Sequence, residues 1–469
     1  MEAPIPAPDR ASSVPLAEQL AAGIRTAVLA GSLRPGDALP STRALATQLG
    51  VSRGVAVAAY ERLAGEGYLD TRPGAAARVA ELVVPPPMDA GAAPDSAAPR
   101  HPSAPAATPP RVDLRPGHPS TAALDTAAWR AAWRHAAALP LAATVPPAAG
   151  EPRLRAALAE HLRHARGVLA APDEILVTAG TAEALALLGE ALAARTPTPR
   201  IAVEDPGHPS ARTILRRRGA RLVPVPVASG GFDVDALDAL HPAPDAVLLT
   251  PSHQYPLGGR LGVAELLRAI AWAERAGGLL IEDDYDSEFR HVGAPLPALA
   301  SLDDSGRTVL VGSLSKVLSP GLRVGYLFVR DRGLRGDLLA LRVDDSAPVP
   351  SIVQLALARF AETGALQRHI ARSRRAYAHR RTLVERALAG HRVGALDGGL
   401  HATVALADAS AERRAVARLA AAGIAVAPLS EYAVDAGRAR HHGLVLGYGA
   451  AGDAALAGTL AEIARVLRP

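Results

Sequence analysis

The chain of 469 residues contains one lysine, Lys316, in the stretch VGSLSKVLSPGLRVGY; it is one of 51 basic residues, and the rest are arginine. Where a side chain is needed only for charge, guanidinium replaces ammonium freely. A nucleophile toward a carbonyl carbon must be a primary amine, because guanidinium stays protonated. Lys316 is therefore either a chance survivor of an arginine-rich coding bias or a covalent anchor. Other residues bear on that choice. IEDDYDSEFR places Asp283 and Tyr285 two apart at a strand end, so on one side. VTAGTAEAL sets Gly180, Thr181 and Ala182 at the start of a helix, where backbone amides favour an anion. Ser313, Ser315 and Arg323 add hydroxyls and a guanidinium around the lysine.

Taken singly, these are a loop acid, a packing tyrosine, a helix cap and a surface arginine. Together they fit pyridoxal 5′-phosphate joined to a lysine. Its ring nitrogen needs an acid, its phenolic oxygen a donor, and its phosphate amides, hydroxyls and an arginine.

The elements that must position them follow from hydrophobic pattern. EILVTAG, RIAVEDPG, AVLLTPSHQYP, GLLIEDDYD and TVLVGSLSK read as buried strands, each ending in a polar or Gly-rich loop, with helices between. Helices are expected from Thr181 and near Ser210. This predicts an α/β body with a mostly parallel sheet covered on both faces, and function at the strand carboxyl ends. Ahead of it, Leu16, Leu20, Ile24, Val28 and Leu29 form a helical stripe closed by Gly31. Two short helices follow, the first capped by Ser41 and carrying Leu45 and Leu49 to a stop at Gly50. The second is capped by Ser52, with Val55, Ala59, Tyr60 and Leu63 inward, and a hairpin comes after it. That is a winged helix-turn-helix. Residues 85–110 are Pro-, Ala- and Ser-rich without hydrophobic period and read as a linker. The expected division is 12–84 for a DNA-binding domain, 85–110 for the linker and 111–469 for the cofactor- and effector-binding body.

Composition sets the outer bounds. With no cysteine, disulfides, Cys-ligated zinc and thiol catalysis are excluded, and no metal site is expected. No signal pattern or long apolar run is present, so a cytoplasmic protein is expected. A net charge of +5 is too small for bulk electrostatics to announce nucleic-acid binding.

The words LRPGDALPSTRALATQLGVSR and AYERLAGEGYLDTRPG resemble the DNA-binding domain of GntR-type regulators over residues 12–80. The resemblance implies operator contacts by Arg43, by Ser52, Arg53 and Gly54, and by Arg72 and Gly74 in the wing. The wing GAAARV departs from the usual Gly-x-Gly-Thr tip, which puts minor-groove contact in question. From residue 113 onward, VEDPGHP, TPSHQYPLGGRL, IEDDYDSEFR and GSLSKVLSPGLRVGY resemble fold-type I aminotransferases dependent on pyridoxal phosphate. The whole chain looks like a MocR/GabR-type transcriptional regulator.

The resemblance assigns Lys316 to a Schiff base with the cofactor, Asp283 to the pyridine nitrogen and Tyr285 to the phenolic oxygen. It gives the phosphate to Ser313, Arg323 and the 180–182 amides. A head-to-tail homodimer on a double-stranded operator is implied, sensing an amine, an amino acid or the cofactor itself. The alternative is an active aminotransferase with an attached head. Two departures bear on that choice. His208 stands where such proteins commonly stack a tyrosine on the ring; it is either a stacking imidazole able to titrate near neutrality or a loop histidine. Val445, in GLVLGYGA, replaces the arginine that grips a substrate carboxylate, unless Arg438, Arg440, His441 or His442 supplies the charge.

Overall fold

The computed structural model describes residues 5–71, 75–81, 110–124, 126–140, 143–228, 231–292, 297–345 and 349–468. The chain forms two compact units, residues 1–106 and 107–469. The expected linker falls almost wholly outside the described residues.

In the first unit, helix α1 (Leu16–Leu29) buries Leu20, Ile24 and Val28. Leu29, expected on the same stripe, is 54% exposed, because it lies one position round the helix from Val28. Helix α2 (Thr42–Leu49) starts where Ser41 Oγ accepts from Ala44 N and ends at left-handed Gly50. Helix α3 (Arg53–Gly65) starts where Ser52 Oγ accepts from Val55 N. Leu45, Ala59, Tyr60 and Leu63 close a small core against α1. Leu69–Asp70 pairs antiparallel with Arg78–Val79 to make the hairpin.

The second unit is built on an eight-stranded sheet. Its spatial order is Ile175–Thr178, Gly325–Val329, Thr308–Ser313, Leu279–Asp284, Ala246–Leu249, Arg200–Asp205, Arg221–Ala228, Gly231–Phe232. The five strands from Thr308–Ser313 to Arg221–Ala228 are mutually parallel. Gly325–Val329 runs antiparallel to both of its neighbours. Both faces are covered, which is why these strands are apolar without alternation. Ile201, Val203, Ala246, Leu248 and Ile281 pack with helices Thr181–Arg195 and Pro209–Arg217. The intervening Ala202, Val247, Leu249 and Leu280 pack with Val263–Ala276 on the other face. A smaller antiparallel sheet follows, ordered Val393–Gly394, His401–Ala405, Gly443–Gly447, Ala427–Pro428. Among the described residues no helix is long and apolar enough to cross a membrane.

Gly312, next to Ser313, lies flat against the Tyr326 ring of the neighbouring strand, in space a Cβ would need. Gly312→Ala is expected to cost about 1–3 kcal/mol through overpacking. Thermal unfolding of the full chain checks this; an unchanged midpoint refutes the contact.

Candidate functional site

The parallel strands deliver their carboxyl ends to one cavity of about 390 Å³. All of the expected body residues line it: Gly180, Thr181, Ala182, His208, Asp283, Tyr285, Ser313, Ser315, Lys316 and Arg323. Lys316 follows the strand Thr308–Ser313, and its Nζ donates to Gly117 O at 2.7 Å. Burial lowers its pKa, opposed by the carboxylates of Asp286 and Asp283. An amine so placed loses its proton more readily than a surface lysine.

Asp283, on the adjacent strand, is 4% exposed. Burial, then the nearby Asp284 and Glu204, pushes its carboxyl up to about 7. Its Oδ1 is buried without a hydrogen-bond partner, a costly arrangement in a resting fold. A protonated ring nitrogen is the partner such an oxygen lacks.

Gly180 takes φ +88°, a left-handed value suited to glycine, and turns the chain from strand Ile175–Thr178 into helix Thr181–Arg195. Gly325, two residues beyond Arg323, lies against Gly180, and Arg323 and the helix start both line the cavity. Ser313 Oγ accepts from Ser315 N at 3.1 Å. The observed residues therefore fit pyridoxal 5′-phosphate: an amine, an unpartnered acid and an anion cradle border one space.

Tyr285 Oη donates to His253 O at 3.0 Å and lies 3.0 Å from His253 Nδ1, which meets Asp286 Oδ2 at 3.1 Å. His208 caps helix Pro209–Arg217, with Nδ1 accepting from Ala211 N at 3.4 Å and its ring 5.3 Å from Tyr255. The residue is exposed to solvent at the cavity. Desolvation, then the charges of Lys316 and Arg212, lowers its pKa to about 4. The direction of that shift favours the neutral imidazole.

Several lining residues escaped the sequence reading: Tyr255, Asp286, His401 and Tyr432. Tyr255 and Asp286 lie within motifs already singled out, whereas His401 and Tyr432 come from the smaller sheet and its loop. Tyr255 and Tyr432 join through their hydroxyls at 3.2 Å. Arg212 pins that side by donating to Gly207 O at 2.7 Å and Tyr432 O at 2.8 Å. His253, Asp286 and His401 bring ligand-type atoms within 4.8 Å of one another. All three are already engaged, His253 and Asp286 by each other and His401 Nε2 by Pro256 O at 3.0 Å.

Val445 is fully buried among Ala427, Leu429 and Tyr432. Arg438, Arg440 and His441 are exposed, His442 is half-buried, and none of the four lines the cavity. On the first unit, Arg43, Ser52, Arg53 and Gly54 are exposed at the starts of α2 and α3. Arg72 and Gly74 lie outside the described residues.

Because folding raises the Asp283 pKa above the unfolded value near 3.9, the native state holds this proton more tightly. Stability must then fall as pH rises from about 4 to about 7. Asp283→Asn, free of cofactor, is expected to exceed wild type by about 1–3 kcal/mol near pH 8 and to match it near pH 4. Urea unfolding at the two pH values checks this; a pH-independent difference refutes it.

Residues 16–79 match the gntR family of bacterial regulatory proteins, and residues 111–442 match aminotransferase class I and II. The chain is 42% identical over 460 residues to the HTH-type pyridoxine biosynthesis transcriptional regulator PdxR of Corynebacterium glutamicum, covering 97% of this chain and 96% of the relative. It is 36% identical over 390 residues to the probable rhizopine catabolism regulatory protein MocR of Rhizobium meliloti, covering 79% and 77%. The body shares the fold of an archaeal alanine:glyoxylate aminotransferase, with TM-score 0.70 at 21% identity over 76% of this chain and 90% of that one. Class I and II aminotransferase bodies imply dependence on pyridoxal 5′-phosphate. The chain belongs to the MocR-type family of transcriptional regulators, in which a gntR-family DNA-binding head precedes an aminotransferase-like body.

Proposed function

We propose that this regulator reads the availability of pyridoxal 5′-phosphate itself, with Lys316 as its covalent anchor. The observation that carries this reading is a count of charges. Among the described residues lining the cavity, Lys316 and Arg323 are the only basic side chains besides His208 and His401. Burial lowers His401 to about 4, which favours its neutral form, and desolvation followed by the charges of Lys316 and Arg212 lowers the exposed His208 as well. One amine and one guanidinium suffice for an aldehyde and a phosphate. No cation is left for the carboxylate of an amino acid, and Val445 points the same way. When bound, the cofactor would supply an electrophilic aldehyde and an electron-withdrawing ring.

The chain's own groups divide the work of holding it. Lys316 Nζ, its pKa lowered, offers a nucleophile beside Gly117 O. Asp283 would hold the ring nitrogen, and Tyr285, braced by His253, would hold the phenolic oxygen. Ser313, Ser315, Arg323 and the amides of Gly180, Thr181 and Ala182 would take the phosphate, with His208 and Tyr255 beside the ring. The relative from Corynebacterium is named for pyridoxine biosynthesis, and we extend that target class to this chain. A head within 12–84, tethered by 85–110 to a body of 111–469, would act as a homodimer on a paired operator.

A gel-shift assay with the full chain at fixed salt tests this. Adding pyridoxal 5′-phosphate is expected to change operator affinity. Lys316→Arg, which keeps the charge but not the nucleophile, is expected to abolish both that change and borohydride labelling at residue 316. A Lys316→Arg protein that responds like wild type would overturn the reading. Arg53→Ala is expected to weaken operator binding about tenfold or more; unchanged affinity would remove Arg53 from the interface.

A further inference from the structure

A second cavity, of about 350 Å³, shares Asp286 as a wall with the first. Four guanidiniums border it, from Arg166, Arg260, Arg290 and Arg374. Arg166 is occupied by Asp284 at 2.7 Å and Glu282 at 3.5 Å, and Arg260 leans toward Asp397 at 3.6 Å. Arg290 and Arg374 commit Nε to carbonyls, of Val292 and Glu288 respectively, each at 2.9 Å. Neither is paired with a carboxylate among the described residues.

The acids that border this cavity are already engaged. Asp286 meets His253 at 3.1 Å, Glu288 meets His161 at 3.1 Å, and Asp397 has Arg260. His253 is 4% exposed, and its Nε2 is buried without a partner. Burial, then the like charge of Arg260, lowers the pKa of Arg290 from its usual value, opposed by Asp397.

We propose that this second cavity binds a phosphate group, held between Arg290 and Arg374. Two guanidinium forks match the charge of a phosphate dianion, and their planar donors suit its oxygens. The group can belong to free inorganic phosphate or to a phosphate ester such as a second molecule of pyridoxal 5′-phosphate. With no other lysine in the chain, that second molecule would be held without a side-chain covalent bond.

The test uses the full chain saturated with pyridoxal 5′-phosphate and reduced with borohydride, so that the first cavity stays filled. Equilibrium dialysis against radiolabelled inorganic phosphate is expected to find one saturable equivalent per chain. In Arg290→Gln/Arg374→Gln the affinity is expected to fall about tenfold or more, with labelling at Lys316 unchanged. Arg374→Gln alone, at an exposed position, provides a smaller loss if the double variant unfolds. Displacement by pyridoxal 5′-phosphate but not by pyridoxal identifies an ester ligand, and displacement by inorganic phosphate alone identifies the free anion. Uptake that does not saturate, equal affinity in wild type and both variants, or displacement by pyridoxal would overturn the proposal. Failed labelling at Lys316 would strike the cofactor reading instead, because the comparison between wild type and variant still reports on the second cavity.

Discussion

The body is organised around a carboxylate and an amine kept out of water at the ends of neighbouring parallel strands. Desolvation penalises the charged form of both, raising the carboxyl of Asp283 and lowering the amine of Lys316. Neither shift helps the fold, and the unpartnered Asp283 Oδ1 works against it. Such local inconsistency is expected where a site is held ready for something absent from the chain itself. The rest of the architecture makes it tolerable. Helices on both faces of the eight-stranded sheet fix the strand ends, and the tight pairing of Gly312 with Tyr326 keeps the Lys316 strand in register.

Arginine does the structural work around that pair, which clarifies why one lysine persists. Arg166 is buried between Glu282 and Asp284, beneath the strand that carries Asp283. Arg342 is buried against Glu183 at 2.5 Å and Ala148 O at 2.7 Å, tying helix Thr181–Arg195 to a distant loop. Arg212 bridges the His208 loop and Tyr432. Each task uses several fixed donors at once, a geometry that guanidinium supplies and ammonium does not. Reaction with an aldehyde, the role proposed for Lys316, would demand the converse, a single nitrogen able to shed its proton.

The amino-acid order alone made much of this readable, and the reason is local geometry. A strand followed by a Gly-rich turn and a helix places Gly180–Ala182, and residues two apart at a strand end place Asp283 and Tyr285. Ser41 and Ser52 declare helix starts in the head because capping depends on nearest neighbours. What stayed hidden depends on tertiary contact. His401 reads as one residue of an ordinary strand, and only the docking of the smaller sheet brings it to the cavity. The Tyr255–Tyr432 hydroxyl contact spans 177 residues. The downward shift of the His208 pKa was equally illegible, since one of its causes is the charge of Lys316, more than a hundred residues away in sequence.

That division also says what a ligand in this cavity can accomplish. The eight-stranded sheet contributes Asp283, Ser313 and the Lys316 loop, while the smaller sheet and its loop contribute Leu400, His401 and Tyr432. A molecule bound between them touches both, so its affinity depends on their relative position. A ligand shifts a conformational equilibrium only to the extent that it binds one arrangement better than another. In a catalyst, a second guanidinium at position 445 would direct that binding energy to a substrate carboxylate. Here a buried valine packs under Tyr432 instead, joining the smaller sheet's core to the cavity wall. On the proposed reading, binding energy that would orient a substrate is left to favour one arrangement of the two sheets, which is what a sensor requires.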